Sequence, residues 1–307
     1  MVNIFVGETA ALAAAFLWAA ASVSYGRLGQ QVPPLTLNLF KGAIAICLII
    51  ITLVLQALIT QDFTLLTPQI PPTILGLILL SGVVGIGFGD TAYFHAINHL
   101  GARKALLMET IASPLSALLA LIFLQEKLSS FAWGGIFLTL LGVTWVISEQ
   151  TPEQGGQRSQ LWMGIGWGFL SALGQAAGAV LSRSAFMAGE VNTLWSTLLR
   201  LIGGLIIVVI LLTTQGAKKS GKIEAILARK QLLATLVAIS FGSTYLGIWL
   251  QQISLKFTPT GIAQTLLGTS PLFVLPLVML LGERVSFRAY LGVMVAIAGI
   301  ALLFTIS

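Results

Sequence analysis

The chain contains ten long apolar stretches that are almost free of charged residues, and this feature limits its fold more than any other. About 20 consecutive apolar residues make a helix long enough to cross the hydrocarbon core of a bilayer. We therefore predict an all-α integral membrane protein with ten transmembrane helices. The predicted spans are residues 7–26, 36–58, 74–97, 103–124, 130–148, 161–183, 193–213, 232–254, 260–281 and 287–306.

The scarcity of charge excludes the soluble classes of protein. Charged residues make up 8% of the chain, whereas a soluble domain carries roughly a quarter. This composition excludes a soluble enzyme, a nucleic-acid-binding protein and a disordered scaffold. The only cysteine, Cys47, lies within an apolar stretch, so the sequence offers neither a disulfide framework nor a thiolate metal site.

The net charge of +6 comes from Lys and Arg in the loops, and it indicates orientation in a membrane. We call the face of the membrane that holds the N-terminus side A and the opposite face side B. Most loop Lys and Arg residues lie on side B, so the positive-inside rule places side B in the cytoplasm and both termini outside. We expect a multi-pass protein of the plasma membrane, the inner membrane of a bacterial cell.

The second half of the chain repeats the first at an offset of 157 residues. The clearest match is LQEKLS at 124–129 with LGERVS at 281–286. A unit of five helices crosses the membrane an odd number of times, so its second copy enters from the opposite side. We predict two inverted repeats, residues 1–148 and 161–307, joined by a linker at 149–160. This arrangement is typical of secondary transporters.

Four charged residues lie inside the predicted spans and away from their ends, where a charge is costly enough to mark a functional site: Lys41, Asp90, Glu109 and Arg200. At about 1.5 Å per residue, Lys41, Asp90 and Glu109 lie roughly 8–11 Å from side B. We predict that Lys41 pairs with Asp90 or Glu109 and that the four residues form a proton or charge relay. The alternative is structural, with Lys41 extended to the interface and one carboxylate protonated.

Aromatic, hydroxyl and amide side chains near the middle of the spans are candidates for substrate binding, because transporters of this architecture bind substrate between their repeats. Pro114 and Pro271 lack an N–H, so each leaves the carbonyl four residues before it without a helical partner. We expect these carbonyls to line a cavity; the alternative is a kink that neighbouring hydroxyls seal. The predicted substrate-binding residues are Trp18, Ser22, Tyr93, Ser113, Pro114, Gln175, Tyr245, Trp249, Ser270 and Pro271.

Two glutamates mark the turns after the fourth and ninth spans. Glu126 and Glu283 each precede a basic residue. We expect them to be structural, capping the next helix or pairing across the turn, and not to bind substrate.

The segment GDTAYFHAINHLGA at 89–102, Trp18, the helix around Pro114 and the Glu-Lys and Glu-Arg turns resemble the drug/metabolite transporter superfamily. The closest type is the ten-helix, two-repeat EamA family, and the resemblance covers essentially the whole chain. It implies a carrier or exporter of amino acids or similar small metabolites, with a central cavity between the halves. The second half departs from the first at Gln175, which occupies the position equivalent to Trp18.

An intramembrane protease is the main enzymatic alternative, because GFGD at 87–90 matches a G-x-G-D pattern. That chemistry needs two aspartates that share a proton, and the only other aspartate, Asp62, lies in a loop. A channel would need a pore with rings of charge or carbonyls, which the sparse polar residues do not provide. We therefore expect a protein that is not an enzyme.

The sequence predicts a secondary transporter of small metabolites that works by alternating access at a midplane cavity between the repeats. Amino acids or related compounds are the leading substrate class. The alternatives are an exporter of drug-like or cationic compounds and an uncoupled, channel-like facilitator. The expected partners are a small-molecule substrate, the lipid bilayer and protons as candidate coupling ions, with no nucleic acid, cofactor or metal. A monomer and a homodimer both fit the sequence.

Overall fold

The computed structural model describes residues 5–28, 32–100, 105, 108–148, 158–214, 229–273, 276 and 287–304. Within these ranges the regular elements are helices, joined by short turns. The ten main helices are α1 (Val6–Leu28), α2 (Pro34–Thr60), α3 (Pro72–Leu100), α4 (Ala112–Phe123), α5 (Ser130–Ser148), α6 (Arg158–Ala188), α7 (Thr193–Thr214), α8 (Lys230–Phe257), α9 (Thr260–Leu267) and α10 (Phe287–Phe304).

Length and hydropathy identify the membrane-spanning helices. Of the described helices, α2, α3, α6, α7 and α8 are long and apolar enough to cross a membrane, and α1, α4, α5 and α10 contain shorter apolar runs. Large apolar side chains such as Ile59 and Phe287 are exposed on the outer surface, where lipid would cover them. The predicted all-α membrane fold is confirmed.

Equivalent helices of the two repeats make equivalent packing contacts. The helix α1 packs on the C-terminal part of α8, and its repeat equivalent α6 packs on the C-terminal part of α3. The contacts α2 with α7, α4 with α9, and α5 with α10 join equivalent helices of the two halves. This pattern is that of two inverted five-helix repeats, as the sequence predicts.

The middle helix of each repeat widens into a π-helical segment, Val83–Asp90 in α3 and Ser240–Leu246 in α8. The two segments begin 157 residues apart, at the offset that aligns the sequence halves. The wider turn of a π-helix changes the direction in which the following side chains point, and π-helical turns are frequent at functional sites. Asp90 is the last residue of the first segment.

The fourth helix of each repeat is broken next to its Ser-Pro pair, with turns at residues 110–111 and 268–269. The Thr110 carbonyl accepts a hydrogen bond from the backbone N–H of Ser113 at 3.3 Å, and the Leu267 carbonyl accepts one from Ser270 Oγ at 3.0 Å. Both carbonyls therefore have a hydrogen-bond partner in place of the helical one. The partner of Leu267 is a hydroxyl, as in the alternative interpretation, whereas that of Thr110 is a backbone N–H.

Glu126 joins the two halves at the side A end of the helices. Its Oε1 accepts a hydrogen bond from Arg183 Nε of α6 at 2.7 Å, and its Oε2 accepts one from the backbone N–H of Thr260 at 2.8 Å. Glu126 is structural, as expected, but it caps α9 of the other half rather than the helix that follows it. Glu283 lies outside the described residues.

Candidate functional site

A cluster of three polar side chains from three helices forms the centre of the candidate site. Lys41 of α2 donates a hydrogen bond to Asp90 Oδ2 of α3, and Gln175 Nε2 of α6 donates one to Asp90 Oδ1 at 2.7 Å. Lys41 Nζ also lies 5.2 Å from the centre of the Phe94 ring. The predicted pairing of Lys41 is confirmed, with Asp90 as its partner. Because Asp90 receives two donors, its geometry is that of a carboxylate anion.

Backbone contacts of the π-helical segment bring Asp90 to this position. Asn38, one turn before Lys41, donates from Nδ2 to the Ile86 carbonyl at 3.0 Å and to Thr91 Oγ1 at 3.2 Å. These bonds fix α2 against α3 on both sides of Asp90. Gly89 faces the Gln175 backbone, where an added Cβ would lie 3.5 Å from the Gln175 nitrogen.

The second carboxylate, Glu109, lies beside the first but has different partners. It precedes α4 and forms a hydrogen bond with Ser171 Oγ of α6, which is also 2.9 Å from the Gly89 carbonyl oxygen. Ser171 and Gln175 are four residues apart, so they occupy the same face of α6 on successive turns. Thus α6 presents one polar side chain to each carboxylate.

Arg200 is enclosed by neutral hydrogen-bond partners, and Asp90 lies within electrostatic range of it. Only 1% of the residue is exposed, and its Nη1 donates to Ser182 Oγ at 2.6 Å and to the Gly178 carbonyl at 3.1 Å. Ser182 also forms hydrogen bonds with Ser81 of α3 and Gln252 of α8. Among the described residues, Arg200 forms no ion pair with a carboxylate.

The aromatic candidates use their polar groups within the protein. Trp18 Nε1 donates to the Ser243 carbonyl at 2.8 Å, and Trp249 Nε1 donates to Thr193 Oγ1 at 3.1 Å. The Tyr245 hydroxyl lies 2.7 Å from Thr52 Oγ1 in the core between α2, α7 and α8. Their faces, rather than their polar tips, are what they could offer a substrate.

The remaining described candidates lie on α3 and on or next to the fourth helix of each repeat. Tyr93 is half-buried on α3 beside Phe94. Ser113 is buried and hydrogen-bonds to Thr265, so it joins α4 to α9. Pro114 is half-buried, Ser270 and Pro271 are buried, and the side chain of Ser22 lies outside the described residues.

The structure therefore brings together Lys41, Asp90, Gln175 and Glu109, and it places Arg200 and the aromatic candidates elsewhere. The sequence analysis missed Ser171; its position one turn before Gln175 on the same face was the available signal. It also missed Glu8, which lies in the first turn of α1 and is only 3% exposed. In the ranges that the structure describes, no group of three or more His, Cys, Asp or Glu residues could hold a metal ion.

Comparisons with known proteins agree with this architecture. The model of the EamA-like transporter family matches residues 5–148 and 162–305. Among solved structures 28 chains match, and one of them, described only as the crystal structure of a protein, superposes with a TM-score of 0.72. That match covers 97% of this chain and 94% of the other at 17% sequence identity, so it shows a shared fold alone. No curated protein sequence matches.

Proposed function

Since the chain belongs to the EamA-like transporter family, we propose that it carries a small zwitterionic metabolite, an amino acid or a related compound, across the membrane by alternating access. The Lys41–Asp90 ion pair at the boundary between the two halves is the observation that carries this proposal. Lys41 and Asp90 belong to the first half, and Gln175, which completes the cluster, belongs to the second.

The chemistry of the pair is complementary to an amino acid. An α-ammonium group can replace Lys41 as the cationic partner of Asp90, while the α-carboxylate binds the released Lys41 ammonium. An exchange of this kind keeps both buried charges paired, and leaving either one alone would be costly in a medium of low dielectric constant. Gln175 offers a further amide for the polar groups of the substrate.

The inverted repeats supply the movement in this proposal. Because the cluster takes side chains from both halves, a rotation of one half against the other changes which side of the membrane the cluster faces. We place side B, which carries most of the loop Lys and Arg residues, in the cytoplasm of a bacterial cell.

An exporter of cationic compounds is the second candidate function. The observation that favours it is the Phe94 ring beside the Lys41 ammonium, because the same aromatic face and Asp90 could together hold a substrate cation. A substrate of this class would displace Lys41 without replacing the anion that Lys41 binds. Cationic compounds would then compete with amino acids, whereas compounds with only a carboxylate would not.

The test is uptake of a labelled amino-acid mixture into proteoliposomes that contain the purified protein, with protein-free liposomes as the control. Saturable uptake driven by a pH gradient would support a proton-coupled carrier. Saturable uptake that ignores the gradient would support a facilitator. Uptake that stays linear with concentration, or that only cationic compounds inhibit, would contradict the amino-acid proposal.

A further inference from the structure

The hydrogen bonds around Ser171 distinguish the two carboxylates by the number of protons they hold. Ser171 Oγ lies within hydrogen-bonding distance of two acceptors, the Gly89 carbonyl oxygen at 2.9 Å and Glu109 Oε1. A serine hydroxyl carries one proton and two lone pairs. If the serine hydroxyl donates its hydrogen bond to the Gly89 carbonyl, it has no second proton for Glu109. The contact with Glu109 is then a hydrogen bond only when Glu109 is protonated and donates to the serine oxygen.

From this arrangement we infer that Glu109 carries the coupling proton, and that Ser171 is the positioning residue that links this proton to the packing of α3 against α6. The inference rests on the proposed transport function and extends it. It assigns different roles to the two carboxylates, with Asp90 ionised and bound to Lys41, and Glu109 neutral.

The charges near Glu109 support the neutral form. Asp90 is within electrostatic range of Glu109, and two cations act on that aspartate: Lys41, which pairs with it, and Arg200 of α7, which lies within electrostatic range of it. Within the part of the chain that the structure describes, no basic side chain forms an ion pair with Glu109. A negative charge on Glu109 would be repelled by Asp90, and no basic side chain of the described residues pairs with Glu109 to offset it.

The other titratable side chains described on α3 and α6 have contacts of their own, and Tyr93 lies beside the Phe94 ring. His95 stacks on Trp167 with ring centroids 4.9 Å apart, and His99 packs on α6 at Gly164. Arg183 lies about three turns along α6 from Ser171, where it binds Glu126. The helix α9, which packs on α4, has no titratable side chain between its first and last residue.

The proton is linked to helix packing through the Gly89 carbonyl. An added Cβ on Gly174 would lie 3.0 Å from Gly89 Cα, so α3 and α6 are in backbone contact here. When these helices separate, Ser171 loses its carbonyl acceptor, and its hydroxyl can donate a hydrogen bond to Glu109 instead. The O–H bond of Glu109 then breaks, its proton passes to water as hydronium, and the resulting carboxylate accepts the hydrogen bond from Ser171.

Infrared spectroscopy of the protein in lipid nanodiscs tests this assignment without any substrate. A protonated carboxylic acid has a C=O stretching band that a carboxylate lacks. At neutral pH we expect the difference spectrum of wild type minus Glu109→Gln to contain one such band, and that of wild type minus Asp90→Asn to contain none. Ser171→Ala should move the band to a higher frequency, because the acid loses the oxygen to which it donates.

Ser116→Ala is the matched control for Ser171→Ala. Ser116 is equally buried, but its hydroxyl bonds to the Ser113 carbonyl of its own helix, so the band should stay in place. The inference is overturned if Glu109→Gln removes no band, if Asp90→Asn removes it, or if Ser171→Ala leaves its frequency unchanged. Thermal unfolding of each variant in the same nanodiscs identifies any that fail to fold. Glu109→Asp then replaces Glu109→Gln, and because it keeps a carboxyl group it should shift the band rather than remove it; an unshifted band would overturn the inference.

The same variants separate this inference from the proposed function. If the protein transports amino acids, Glu109→Gln should keep exchange of labelled for unlabelled substrate and lose uptake driven by a pH gradient. If amino-acid transport is absent but the Glu109 band is present and responds to Ser171→Ala, the substrate proposal fails and the protonated Glu109 stands. Gradient-driven uptake by Glu109→Gln at the wild-type rate contradicts its role as the proton carrier.

Discussion

The two crossings that the repeat makes equivalent, α3 with α6 and α1 with α8, have the same backbone arrangement and opposite side-chain chemistry. In the first crossing Gln175 donates a hydrogen bond to Asp90. At the equivalent positions of the second, 157 residues away, Trp18 packs on Gly247, and its Nε1 would lie 2.5 Å from a Cβ on that glycine. A polar pair in one crossing is therefore replaced by a large and a small residue in the other.

The two buried basic residues differ in the same way. Lys41 and Arg200 each lie seven residues after the first residue of their helices, α2 and α7. Lys41 has a carboxylate partner at the boundary between the halves, whereas Arg200 is surrounded by hydroxyl and carbonyl groups. The duplication supplies a symmetric scaffold, and a few substitutions give only one of the two equivalent basic residues a carboxylate partner.

The largest expected effect comes from removing each basic side chain. Lys41→Met leaves Asp90, whose side chain is only 16% exposed, without its ion-pair partner, and breaking a buried pair costs about 3–5 kcal/mol of unfolding free energy. Arg200→Met removes a charge whose partners are neutral, so we expect a smaller loss, about 1–3 kcal/mol. Reversible unfolding in mixed detergent micelles measures both values. Equal losses would show that the two residues are equivalent and would break the comparison.

Gln175→Leu tests the polar crossing with an intermediate effect. It removes an amide donor to a carboxylate, and hydrogen bonds to charged groups contribute about 1.5–3 kcal/mol. Combined with Asp90→Asn, the same substitution should cost less, because the carboxylate that needs the donor is gone. Additive losses in this double-mutant cycle would show that Gln175 and Asp90 are not coupled.

Gly247→Ala tests the crossing that contains Trp18. The new methyl group would overlap the indole nitrogen, and overpacking of this kind typically costs about 1–3 kcal/mol. Trp18→Leu removes the ring and should restore most of the stability that Gly247→Ala loses. The melting temperatures of the two single variants and the double variant check this, and a double variant less stable than both singles would contradict the packing argument.

Trp18→Phe has the smallest expected effect. It keeps an aromatic ring, although a smaller one, and removes the hydrogen bond to the Ser243 carbonyl, for which we expect a loss of about 1 kcal/mol. The loss should be smaller than that of Gln175→Leu, measured by the same unfolding assay. A larger loss would mean that the apolar crossing depends on its polar contact as much as the other crossing does.

The sequence predicts the helices, the repeats and the pairing of Lys41, because these depend on local hydropathy, a fixed offset and the cost of burying a charge. It does not reveal the partners that helix packing selects. Ser171 is an ordinary serine until α6 is placed on the Gly89 carbonyl, and Glu126 resembles a local cap until α9 lies beside it. The groups that bind the carbonyls near the Ser-Pro pairs, a backbone N–H and a serine hydroxyl, likewise depend on the turns that form there.

The central claim is that substrate binds at the ion pair formed by Asp90, and saturable amino-acid uptake by Asp90→Asn tests it most directly. Asp62→Asn makes the same chemical change at the other aspartate of the chain, which is exposed in the turn after α2. Rates are expressed per folded molecule. The account predicts that Asp90→Asn loses uptake while Asp62→Asn keeps it. Wild-type uptake by Asp90→Asn would contradict the account.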